Sequence, residues 1–285
     1  MNLWKEPEWS EMLFSYLTAG WYDWTVSEHL YKNNTHCWSV TSGYYSHYIL
    51  ATALLQLYRL EDGTRPRQMK RIATSHAALC SFLKGEIEPK LRTDFIDYLQ
   101  ASSQQKHEKL SDKLEEIGHA LFSAKKARES HTYQVLVVSH QTLGDVTNKF
   151  GDNTINVSDT VEKISGYILE LSSVINDFVI NFVFDVITNL DEPIKHYHLK
   201  HFLEEIGDFY ALVEKENVMP IPTALAHSIH SINSRVFEVL REEKCPRYRD
   251  FKQNISSFSE KWYSYNELKK NLIQLERAIS ILDTK

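Results

Sequence analysis

Between Ser39 and Leu60 the residues Tyr44, Tyr48, Ala51, Leu55 and Tyr58 recur three or four positions apart. That spacing lines one side of an α-helix, whereas a strand needs alternation. The same rhythm returns along most of the chain, and few turn formers interrupt it. Nine glycines and seven prolines in 285 residues are too few for the many short strands of a sandwich, a barrel or a dinucleotide-binding sheet. The spacing predicts an all-α protein. Helices are expected over 7–19 and 21–31 on either side of Gly20, then over 39–60, 69–83, 89–99 and 107–140, and further on over 158–190, 195–216, 222–243 and 248–282. Turn residues separate them at Asn33-Asn34-Thr35, Glu61 to Pro66, Gly85, Ser102 to Gln105 and Pro193. The segment VINDFVINFVFDVIT (174–188) is rich in β-branched residues and could pass for a strand. Its polar residues Asp177, Asn181 and Asp185 fall four apart, however, which marks a mostly buried helix with one polar stripe. That stripe is expected to face the other half of the chain, a partner protein or simply solvent. Gly151-Asp152-Asn153-Thr154 divides the sequence into a bundle over 1–150 and a helical region over 151–285, the latter either a separate domain or a continuation of the first.

The formal charge of -6 supplies no general attraction for nucleic acid or membrane, so any anion site must be local. Two clusters qualify. Arg65, Arg67, Lys70 and Arg71 lie within seven residues, lead into a helix start and are followed by His76. Lys125, Lys126, Arg128, His131 and Tyr133 form the second cluster, in which Arg128 and His131 are three apart and share a helical face. A fixed guanidinium with an imidazole that titrates near neutrality suffices for RNA cleavage without a metal. The imidazole takes the proton of a ribose 2′-hydroxyl or protonates the leaving oxygen, and the arginine stabilises charge on the phosphate oxygens. A solvated charge cluster would have the same composition.

His196, His198 and His201, followed by Glu204 and Glu205, could bring two or three ligands to one face, as could His227, His230 and Arg235 more weakly. Neither spacing matches a zinc finger or a metalloprotease helix, so no metal is assigned. Phosphate-binding loops, nucleophile elbows and glycine-rich dinucleotide fingerprints are missing, and no cofactor is expected. Cys37, Cys80 and Cys245 are odd in number, far apart and without a CxxC, which points to a reducing, cytoplasmic setting. The N-terminal MNLWKEPEWSEM lacks the apolar core of a secretory signal, and the apolar runs are too short to span a membrane. The aromatic residues of 44–58 are spaced for packing and are expected in the core.

Residues 43–83 resemble the second and third helices of the HEPN superfamily of helical bundles. The likeness lies in Tyr44-Tyr45, Ala51, Ala53, Leu54-Leu55, Gly63, His76 and Phe82. Residues 128–133, Arg-Glu-Ser-His-Thr-Tyr, resemble the arginine-containing segment of that superfamily's later helix, with Thr132 where an aspartate is frequent. The resemblance covers roughly residues 9–150. It implies a metal-independent ribonuclease or RNA-binding protein of a defence or toxin–antitoxin system, with two copies meeting as a homodimer. On the matching segment, Arg128 would hold phosphate, His131 would act as acid and base, and Tyr133 would orient the substrate. Arg65, Arg67, Lys70, Arg71, His76, Lys125 and Lys126 would position the RNA backbone. The chain departs from the pattern in that His131 follows Arg128 sooner than in the superfamily's catalytic signature; Arg71 and His76 have that spacing, but on a different helix. Members without the signature are non-catalytic modules that bind a protein partner such as a nucleotidyltransferase, and this is the alternative expectation. A His/Glu metal enzyme built in the second half is the third.

Overall fold

The computed structural model describes residues 7–33, 35–58, 65–102, 110–133, 157–191, 194–218 and 221–242, together with the helical positions 273 and 277. Among these residues the protein is all-α, with no strand. The helices are α1 (Pro7–Lys32), α2 (His36–Gln56), α3 (Arg67–Ala73), α4 (His76–Leu83), α5 (Pro89–Ser102), α6 (Leu110–Tyr133), α7 (Val157–Thr188), α8 (Ile194–Lys215) and α9 (Thr223–Glu242). The expected loop at 102–105 largely, and the expected boundary at 151–154 and most of the helix over 248–282, lie outside the described residues.

The centre of the bundle is α2. Every residue from 50 to 58 is buried, because apart from Thr52 and Gln56 this stretch is apolar or aromatic, and a helix of that kind is stable only when other helices surround it. It packs against α1, α6 and α7. Helix α1 buries Leu13, Phe14, Leu17, Trp21 and Trp24, a stripe at helical spacing. It runs antiparallel to α2. Ser27 and Ser39 exchange hydrogen bonds near the connecting turn, each hydroxyl donating to the other's carbonyl at 2.8 Å. Further along the pair, the Ser46 hydroxyl donates to the Gly20 carbonyl at 2.8 Å. Gly20 therefore does not divide two helices, as its composition had implied. A Cβ there would stand 2.8 Å from the Leu50 side chain, so the glycine serves close packing within one continuous helix. The helix expected over 69–83 is instead two, α3 and α4. Ser75 takes the extended N-cap conformation, and its side chain accepts from the Ala78 amide, which starts a new helix there.

The helices on either side of the expected boundary share one core. Trp21 of α1 donates to the Asn176 side chain of α7 at 2.6 Å, and Phe14 stacks on Phe202 of α8 with ring centroids 4.2 Å apart. His47, fully buried in α2, reaches the Ile117 carbonyl through Nε2 at 3.1 Å and the Ser172 hydroxyl through Nδ1 at 3.2 Å. A carbonyl can only accept, so Nε2 carries a proton and His47 is a satisfied polar tie between α2, α6 and α7. The 174–188 segment is helical, and its polar stripe faces α9. Ser228 donates to Asp177 at 2.7 Å, and Arg235 donates to Asn181 and Asp185, each at 3.0 Å.

Helices α4 and α6 also run antiparallel, and Gly118 sets their distance. A Cβ at Gly118 would lie 2.9 Å from the Leu83 Cβ and 3.0 Å from the Lys84 backbone nitrogen. Alanine's helix propensity alone would favour Gly118→Ala by about 1 kcal/mol. Forcing the helices apart costs about 1–3 kcal/mol. The overpacking wins because Leu83 is buried and backbone cannot step aside. Gly118→Ala is expected to lower stability by about 1 kcal/mol net, read as a reduced urea midpoint at unchanged slope.

Candidate functional site

The close approach at Gly118 brings the C-terminal half of α6 alongside the start of α4 and the outer face of α2. Three tyrosines, a histidine and an arginine gather there. The Tyr44 hydroxyl is hydrogen-bonded to Nδ1 of His76. The Tyr48 ring stacks on the imidazole with centroids 3.7 Å apart, and its own hydroxyl is held by the Ala73 carbonyl at 2.8 Å. The Arg128 guanidinium lies 4.6 Å from the Tyr44 ring centroid and 5.4 Å from that of Tyr45, and Nη1 donates to the Tyr45 hydroxyl at 3.0 Å. Tyr44 is fully buried, whereas Tyr45 is 38% exposed: two consecutive helical residues point about a quarter-turn apart, so one seals the core while the other roofs the arginine.

The site is electropositive. Among the described residues, Lys125 and Arg128 share one carboxylate, that of Glu129, at 3.7 and 3.8 Å. Arg235 and Arg71 pair more closely, with Asp185 at 3.0 Å and Glu88 at 3.2 Å. Burial, with Arg128 and Lys125 beside it, holds the His76 imidazole below its ordinary value, so it is neutral at pH 7. When Nδ1–H donates to Tyr44, the lone pair on Nε2 is open to take a proton, and Nε2 has no hydrogen-bond partner among the described residues. Burial raises the Tyr44 phenol and keeps it protonated. Cys80, one turn beyond His76, is a buried free thiol that burial pushes up to about 11, so it is no nucleophile at neutral pH.

The site joins Arg128 and Lys125 from one sequence cluster to His76 from the other. The rest of the basic loop disperses. Arg65 turns back to the Met69 carbonyl at 3.2 Å, Arg71 pairs with Glu88, and Arg67 and Lys70 are exposed. Lys126 points away from the cluster, its ammonium 4.7 Å from the Phe122 ring centroid, and Lys84 lies on the same ring at 4.8 Å. His131 and Tyr133 belong to the last turn of α6, but their side chains lie outside the described residues. Tyr44, Tyr45 and Tyr48 are the members that spacing assigned to packing. The signal for Tyr45 was present, since it lies outside the run Tyr44, Tyr48, Ala51 and Leu55 whose spacing lines the packed side of α2.

In the second half, His196 and His198 are buried, while His201 stacks on Tyr197 and stands 3.8 and 3.9 Å from Glu204 and Glu205. Among the described residues no three His, Cys, Asp or Glu side chains are grouped to hold a metal ion. Nor, among them, is any helix long and apolar enough to cross a membrane. Comparison with protein-family models, with curated proteins and with solved structures returned no match.

The depressed His76 titration fixes a sign for acid stability. Above pH 6.5 the imidazole is neutral in both the folded and the unfolded chain. As the pH falls through 6.5 the unfolded chain takes up a proton that the folded site resists, so stability drops until folded His76 itself protonates. Asp23 acts oppositely. Burial raises its carboxyl from 3.8 to about 6, so its contribution is complete in acid and fades as the pH rises through that window. The two effects separate in a difference measurement. His76→Gln is expected to lose less stability than the wild type between pH 7.5 and 5.5 in paired urea titrations; an identical loss in both would contradict the assignment.

Proposed function

We propose that the protein is an RNA-directed, metal-independent ribonuclease of the kind used in defence and toxin–antitoxin systems. One observation carries this reading: a neutral imidazole meets an arginine and a lysine that, among the described residues, share a single carboxylate, beside an exposed tyrosine. His76 Nε2 accepts the proton of a ribose 2′-hydroxyl. The 2′-oxygen then attacks the adjacent phosphorus, a 2′,3′-cyclic phosphate forms, and the 5′-oxygen leaves, taking a proton from solvent. Arg128 and Lys125 stabilise the charge that grows on the non-bridging oxygens. Tyr45 offers a ring on which an unpaired base stacks, the usual mode of single-stranded RNA recognition. His131 and Tyr133, on the same helix as Arg128, are the alternative acid–base pair.

The test is incubation of single-stranded RNA with micromolar protein in EDTA. Products ending in 2′,3′-cyclic phosphate, with DNA of the same sequence left whole, are the expected outcome. Intact RNA, or cleavage abolished by EDTA, would refute the reading. A non-catalytic module that binds a protein partner is the second reading. Its support is Trp38, which is 59% exposed at the start of α2, where an isolated large aromatic suits a binding hot spot.

A further inference from the structure

Away from the arginine cluster, the 173–181 stretch of α7 forms the floor of a groove between α6 and α9. On one side the groove opens into a cavity of about 300 Å³. Leu54, Leu114, Ile117, Val174 and Phe178 make up much of its wall. On the other side is a more polar cavity of about 370 Å³, lined by Ser173, His227, Ser228 and Ser231. Asp177 and Asn181 line both, so one carboxylate and one amide stand at the junction of an apolar chamber and a polar one.

The chemistry at that junction is one-sided. The recorded contacts of the Asp177 carboxylate, from Ser228 at 2.7 Å and Asn176 at 3.5 Å, both use Oδ1. Among the described residues, the cations nearest the groove are engaged elsewhere: Arg235 with Asn181 and Asp185, and Lys113 with Glu116 at 2.6 Å. A carboxylate accepts several hydrogen bonds, and among the described residues Oδ2 has no partner, on an exposed residue at the rim of a largely apolar chamber. On the floor, Val174 is 37% exposed although the next residue, Ile175, is fully buried. Mostly apolar walls with a few convergent polar groups are the usual make-up of a small-molecule site, and about 300 Å³ is at the small end of such sites.

We propose that this groove binds a small amphipathic amine, with an aryl ring or short apolar chain in the α6–α7 chamber and a protonated amino group on Asp177 Oδ2. Hydroxyls on the ligand, where present, extend toward Ser231 and His227. The site is independent of the ribonuclease reading.

Tryptamine is a suitable probe, since an indole fits the chamber and its amine is charged at neutral pH. The full-length protein, labelled on valine and leucine methyls, is titrated with tryptamine and separately with indole-3-propionate, which carries the opposite charge on the same ring. Tryptamine is expected to shift the Val174 and Leu114 methyls saturably, and indole-3-propionate to bind at least tenfold more weakly. Asp177→Asn is expected to weaken tryptamine at least tenfold, and Val174→Trp to abolish binding by filling the chamber from an exposed position. Equal affinity for both charges, unchanged binding to Asp177→Asn, or no methyl shift at millimolar tryptamine would each overturn the proposal.

Discussion

Arg128→Ala is expected to slow RNA cleavage by roughly a hundred- to a thousandfold, the usual cost of removing one preorganised donor from a developing oxyanion. The guanidinium is placed for this by the rings of Tyr44 and Tyr45 and by its hydrogen bond to the Tyr45 hydroxyl, and it shares the Glu129 carboxylate with Lys125. Its packing also contributes to stability, by about 1 kcal/mol for a partly buried cation on an aromatic face, so rates are compared where both proteins are fully folded. Arg128→Lys separates charge from geometry. Lysine restores the positive charge but not the planar fork, and recovers only part of the rate. His76→Ala removes the proton acceptor and is expected to cost about a hundredfold or more. The pH profile supplies a readout that a structural role would not move. Cleavage should fall on the acid side with a midpoint below 6.5, because the base must be neutral and its site resists protonation. If His131→Ala abolishes cleavage while His76→Ala leaves it intact, the acid–base role belongs to the end of α6. If Arg128→Ala cleaves like the wild type, the site is structural.

What sequence could and could not reveal follows from how each feature is encoded. Helix α2 was legible because its apolar and aromatic residues recur three or four positions apart and its second half is almost wholly apolar. The 174–188 segment was legible as a helix despite its β-branched residues, because three polar side chains four apart have no place on a strand. Gly20 misled because composition treats glycine as a break, whereas here it answers Leu50 from another helix. The α3–α4 division is local and was carried by Ser75, but a serine is a cap only when its own backbone is extended, and that is set by packing. The site divides in the same way. Arg128, Lys125 and His76 each stood out by charge or by titration range, yet 52 positions separate the histidine from the arginine. Only the antiparallel approach of α4 and α6 brings them together. The run Arg65 to Arg71 looked like the stronger anion site because its charges are adjacent in sequence. Folded, those charges point in different directions and find their own acceptors or solvent.

Trp21→Ala should be the most damaging single change in the bundle. The ring is fully buried between α1 and α8, 5.7 Å from the Phe209 centroid and 6.3 Å from that of Phe202. Emptying a buried aromatic site costs about 3–5 kcal/mol through lost transfer energy and the cavity left behind. The indole N–H also donates to Asn176 Oδ1, which is itself fully buried in α7. Leaving that amide oxygen without a donor adds about 1–3 kcal/mol. The terms overlap at one location, so about 4–6 kcal/mol is the expected loss rather than their simple total. Set against a stability of about 5–15 kcal/mol for an ordinary protein, the variant is at the edge of unfolding. Trp21→Phe divides the effect: it keeps most of the packing and orphans Asn176, at about 1–3 kcal/mol. Adding Asn176→Leu removes the orphan and should return part of that loss, because replacing both partners by apolar groups is far cheaper than removing one. A double-mutant cycle by urea denaturation measures this directly. If the Trp21→Phe/Asn176→Leu protein is no more stable than Trp21→Phe alone, the buried hydrogen bond is not what joins α1 to α7.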